Sequence, residues 1–122
     1  KRLRESELLV DNRIRRIRLA RFLVDGLPVV WPAHLGAEAR GVPTAWALVP
    51  VGKRKPKSGP VWPSSSGKMR GPSVEPIYPT VPDAVARDST LHRWLAMIDS
   101  MRVGAARERE LARDALMKEI AS

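Results

Sequence analysis

All eleven prolines of this 122-residue chain lie between Pro28 and Pro82, and seven of its eight glycines lie between Gly26 and Gly71. Proline fixes φ and has no amide hydrogen, so it stops helices and keeps to the edges of sheets. Residues 26–82, roughly a third Pro plus Gly, are therefore expected to be irregular and extended. The flanks carry no proline and follow helical periods. The predicted architecture is mainly α and non-globular. It has an N-terminal basic amphipathic helix (1–25), a long Pro/Gly/Trp-rich connection (26–82) with at most short edge strands, and a long charged C-terminal helix (83–122). A structureless connection of this length argues against an autonomous globule, so the expectation is that a partner orders it.

In residues 1–25, Leu3, Val10, Ile17 and Val24 repeat every seven positions, and Ile14 and Leu23 widen the stripe. Gly26, with Pro28 beyond it, reads as the helix stop. In the connection, Val29-Val30-Trp31 and Thr44–Val49 are candidate short strands. From Asp83 onward, Asp88, Ser89 or Thr90 is placed to cap a helix. Leu91, Trp94, Leu95, Ile98 and Met101 form its apolar stripe, with Gly104 as a weak point or kink.

Charge is the strongest functional signal. The net charge is +9 and the sequence pI is near 11.0, which points to a polyanionic partner. From Asp83 to the C-terminus seven bases balance seven acids, so the excess belongs to the first 82 residues. The candidate phosphate-contacting residues are Arg13, Arg15, Arg16, Arg18 and Arg21 on the first helix, then Lys53, Arg54, Lys55, Lys57, Lys68 and Arg70. Like charges at helical spacing repel, and nearby phosphates relieve that repulsion. Trp31, Trp46, Trp62, Trp94, Leu95 and Ile98 are expected to dock on neighbouring proteins, because exposed Trp is an effective interface anchor.

Other chemistries find little support. The chain has no cysteine, which excludes disulfides and thiolate zinc sites. His34 and His92 have no Cys or carboxylate at the spacing of a triad or a metal site. No catalytic residue, metal or cofactor is expected, and no small-molecule substrate. The Ser64-Ser65-Ser66-Gly67-Lys68-Met69 run fails the phosphate-loop pattern twice, with Trp62 where a Gly is needed and Met69 where Ser or Thr is needed. No apolar run is long enough to span a membrane. Lys1-Arg2-Leu3-Arg4 is compatible with the end of a basic presequence, but it is short and lacks the Ser-rich look of a whole one.

One segment carries a resemblance. Thr90-Leu91-His92-Arg93-Trp94-Leu95, followed by Ala106-Arg107-Glu108-Arg109-Glu110-Leu111 and Ala115-Leu116-Met117-Lys118-Glu119-Ile120, resembles the C-terminal helix of the mitochondrion-specific large-subunit ribosomal protein family numbered forty. Trp94 follows Arg93 directly, where that family places a small residue between. The resemblance implies a structural constituent of a mitochondrial ribosome in the matrix, bridging rRNA and neighbouring ribosomal proteins. It brings no catalytic residue with it. Two further readings stay open: a supernumerary subunit of a large mitochondrial membrane complex, and a Pro-rich adaptor ligand presenting Pro60-Val61-Trp62-Pro63 and Pro76-Ile77-Tyr78-Pro79 to aromatic grooves.

Overall fold

The structure, a computed structural model, describes residues 15, 17–19, 21–30, 32–50, 58–77 and 79–121. Arg15, residues 17–19 and Arg21 are helical. A π-helical turn follows at Phe22–Gly26, then an α-helical turn, α1, at Leu27–Val30. A strand β1 (Glu38–Pro43) leads into a 3-10 turn (Ala45–Ala47). Strands β2 (Val61–Pro63) and β3 (Met69–Pro72) come next, then helices α2 (Val81–Val85), α3 (Ser89–Val103) and α4 (Ala106–Ala121). The expected non-globular, extended middle is corrected by this arrangement. Residues 38–72 contribute a three-stranded antiparallel sheet that packs on the helices, and the fold is mixed helix and sheet.

The prolines still obey their chemistry. The strand order is β2-β1-β3, so the central strand is β1, and its one proline, Pro43, stands at its last position. Pro63 and Pro72 close the two outer strands. Proline at strand ends costs no ladder bond, and a proline-rich sequence thus still makes a small sheet. The register pairs Val42 with Trp62 on one side and Arg40 with Arg70 on the other. Beyond β3, Ser73 bridges Val61 in parallel, and the Val74 amide donates to the Val61 carbonyl at 2.9 Å. The sheet therefore curls until its two sides meet, which hides its edges. Tight crossings need missing side chains. A Cβ on Gly67, in the crossover from β2 to β3, would collide with the backbone of Gly41. The Ser64–Gly67 run is that crossover, with the Gly67 amide donating to the Ser64 carbonyl.

The ends of the helices also differ from expectation. Gly26 does not stop the first helix. The Leu27 amide donates to the Phe22 carbonyl, five residues back, and helix continues to Val30. A wide turn ahead of Pro28 eases the clash that its ring would make with the preceding turn. Val29-Val30 is thus helix, not strand, and Trp31 lies outside the described residues. The Thr44–Val49 run holds a 3-10 turn instead of a strand. The single long C-terminal helix is replaced by α2 and a two-helix hairpin. Asp88 caps α3, its Oδ1 accepting from the Leu91 amide at 2.9 Å. Gly104 and Ala105 then turn the chain, so that Arg93 near the start of α3 meets Glu119 near the end of α4 at 3.3 Å.

Two apolar clusters hold these parts together. Val24, Leu27, Ala45, Trp46, Met97, Ile98, Met101, Ala112, Leu116 and Ile120 form the first, between the N-terminal helix, the 3-10 turn, α3 and α4. Trp62, Val74, Val81 and Val85 form the second, between the sheet, α2 and α3. Leu95 and Val103 touch both, so α3 is the pillar on which the sheet and the helices meet.

Candidate functional site

Between sheet and pillar lies a polar network that the sequence did not announce. Asp99 on α3 is 2% exposed. Its Oδ2 accepts from Thr44 Oγ1 and from Trp62 Nε1, each at 2.7 Å, and its Oδ1 accepts from an Arg102 guanidinium nitrogen at 2.7 Å. The same Arg102 nitrogen reaches the Glu75 carbonyl at 3.3 Å. Burial pushes the Asp99 carboxyl above its ordinary value, while Thr44, Arg102 and Trp62 pull it back. His92 lies beside this network. Its Nε2 is 2.7 Å from the Pro43 carbonyl, and its ring centroid is 5.4 Å from that of Trp62. Among the described residues, every donor reaching Asp99 comes from the scaffold, and the carboxylate is shut away from solvent. The network ties α3 to the end of β1 and to β2. Its chemistry is that of a staple.

The network leaves one signal in the sequence, an acid with Arg at i+3 inside an apolar helical stripe. Thr44 and Trp62, however, are 55 and 37 residues away from Asp99, and no local pattern joins them.

The expected docking residues are placed differently from the sequence reading. Trp46 is 5% exposed and Trp62 1%. Both spend their apolar area on this chain's own core, as does Ile98, so none of the three is presented to a neighbour. Trp94 and Leu95 are half-buried against the first cluster. Pro60, Val61 and Trp62 are buried and Val61–Pro63 is β2, so Pro60–Pro63 is not presented as a free Pro-x-x-Pro ligand.

The expected cationic residues lie outside. Arg15, Arg18, Arg21, Lys68 and Arg70 are all exposed. Arg70 stands 3.8 Å from Glu38, a pairing between well-exposed groups that contributes little. Among the described residues, no acid pairs with Arg15, Arg18, Arg21 or Lys68. Arg13, Arg16, Lys53, Arg54, Lys55 and Lys57 fall outside the described residues. The structure brings Arg15, Arg18 and Arg21 together on two turns of one helix, while Lys68 lies in the crossover from β2 to β3 and Arg70 in β3.

A cleft of about 860 Å³ lies where the sheet meets the α3–α4 turn. Leu35, Glu38, Trp46, Arg70, Pro72 and Val103 are among its walls. Gly59 keeps it open: its φ is +150°, and a Cβ there would sit 2.6 Å from Trp46 Cδ1. The cleft holds one loosely paired acid and base and no nucleophile with a base beside it. Among the described residues, no cluster of three or more His, Cys, Asp or Glu side chains is placed to hold a metal, and no helix is long and apolar enough to cross a membrane. No protein-family model, curated protein or solved structure matches this chain.

Proposed function

We propose that this protein is a structural, RNA-contacting component of a ribonucleoprotein assembly, and that its role is charge neutralisation and bridging. The observation that carries the reading is the segregation of charge. Residues 1–82 hold 15 Lys and Arg against six acids, whereas residues 83–122 hold seven of each. The balanced half supplies the pillar and its hairpin. The unbalanced half presents exposed, unpaired arginines from the helix ahead of Phe22 and a lysine from the sheet crossover. Cations arranged in this way meet phosphates and release their counterions. The sequence resemblance of residues 90–120, which fold here as two helices and not as the one helix of that family, is the ground for taking an organellar ribosome as the assembly, with rRNA and adjoining ribosomal proteins as partners and the mitochondrial matrix as the location.

Binding of the full chain to rRNA fragments across a salt series tests this. Log K is expected to fall linearly with log salt, by about 0.7–0.9 for each phosphate contacted. A flat line, or no binding at about 50 mM salt, a concentration at which such contacts are strong, ends the reading. Nuclease treatment of the native assembly gives a second check. Release of the protein agrees with it, and retention on a protein or lipid complex contradicts it.

A further inference from the structure

The helix that carries the arginines also carries two large apolar side chains turned outward. Phe22 is 51% exposed and Leu19 is 47% exposed. The helix has already given its inner face, Val24 and Leu27, to the core. Leu19 and Phe22 therefore make a second apolar face that stands about half exposed. Arg15, Arg18, Leu19 and Phe22 are spaced at i, i+3, i+4 and i+7, so they share one side of the helix, and Arg21 stands next to them in sequence.

The backbone holds the ring in place. Phe22 opens the π-helical turn, and Gly26 ends it. A Cβ on Gly26 would lie 3.2 Å from the Phe22 ring, so the ring leans along the helix over the space that the missing side chain leaves. Wide helical turns of this kind recur where a helix does more than pack.

We infer that Phe22 is a stacking platform for an unpaired base, and that the face Arg15–Arg18–Leu19–Phe22 binds single-stranded RNA in preference to duplex. The inference rests on the RNA-contacting reading above and specifies its partner. The argument is complementarity on both counts. Unpaired guanidinium groups suit phosphates spaced along a strand. An exposed ring among them suits the flat face of a base, which a duplex hides in its stack. A bare apolar protein surface would find these arginines costly to desolvate, because no acid among the described residues pairs with them, and Asp25 on the same helix is engaged by Arg113.

The test compares the full chain with Phe22→Ala, Phe22→Tyr and Arg18→Gln. The probes are a labelled single-stranded 12-mer, a duplex of equal phosphate count, and vesicles rich in anionic lipid, each over a salt series. Phe22→Ala is expected to weaken single-strand binding about tenfold, to change duplex binding less than about twofold, and to leave the salt slope unaltered. Phe22→Tyr keeps the affinity. Arg18→Gln lowers the salt slope by about 0.7. Circular dichroism melts confirm that each variant is folded, which an exposed site permits. If RNA binding persists but Phe22→Ala is silent, or weakens strand and duplex alike, the stacking inference is overturned and the broader reading stands. If neither nucleic acid binds, the broader reading itself has failed. If Phe22→Ala abolishes binding to the vesicles and leaves RNA binding intact, the face is a lipid-contacting one and the inference is overturned.

Discussion

Thr44 illustrates how much one hydroxyl does in this protein. It follows Pro43 at the end of β1, is fully buried, and donates to a carboxylate on a helix 55 residues away. Valine has the same shape and no donor. Thr44→Val is expected to destabilise the fold by about 2 kcal/mol, the scale of a buried hydrogen bond to a charged group, measured as a fall in the urea midpoint. Asp99 itself makes a signed prediction. Its unfolded value is near 3.8 and burial raises it in the folded state. Across that window the folded chain holds the proton more tightly than the unfolded one. Its contribution is therefore fully present in acid and is lost as pH rises through the folded value. The stability of the wild type relative to Asp99→Asn should be greatest below the unfolded value of 3.8 and should shrink as pH rises. Paired urea titrations at several pH values check this, and a difference that grows with pH would show that Arg102 outweighs burial.

Gly104 decides how the elements are arranged. In one continuous C-terminal helix it would be a flaw, and Gly104→Ala would stabilise by about 1 kcal/mol. In the structure it ends α3 with extended backbone, and its amide donates to the Ser100 carbonyl. An added Cβ would collide with that same carbonyl and crowd Glu108. The hairpin therefore predicts the opposite sign, a loss of about 2 kcal/mol or more from strain at a tight turn. Thermal melts of this one variant distinguish the two topologies. The Arg93–Glu119 pair across the hairpin is partly exposed, and its removal should matter far less, within about 1 kcal/mol. Turn chemistry and packing hold α3 and α4 together, and ion pairs contribute the smaller share.

For the whole molecule, the two clusters meeting on α3 predict that the chain folds without a partner. The full chain, free of nucleic acid, is expected to unfold in one cooperative transition. Its tryptophan emission should shift to the red as Trp46 and Trp62 enter water. A broad, featureless melt that sharpens only when RNA is added would contradict the packing described here. Added RNA should raise the midpoint only by mass action, according to how far its concentration exceeds the dissociation constant. In the proposed RNA-contacting role, the sheet and helices would carry the cationic helix face.

The amino-acid sequence alone determined those properties that depend on residue type and local spacing. Pro43, Pro63 and Pro72 do stand at strand ends and Pro82 at a helix start, Asp88 does cap α3, and the excess of positive charge lies in the first 82 residues. The stripe of Leu95, Ile98 and Met101 does face inward. Tertiary structure alone decided that a proline-rich middle closes into a sheet, that Gly104 reverses the chain, and that Trp46 and Trp62 serve the core. It also placed Asp99 in the interior and turned Phe22 outward. The reason is physical. A cap or a stripe is set by neighbours three or four residues away, whereas a sheet register, a buried carboxylate and the exposure of a ring each depend on groups tens of residues distant that meet only in the folded chain.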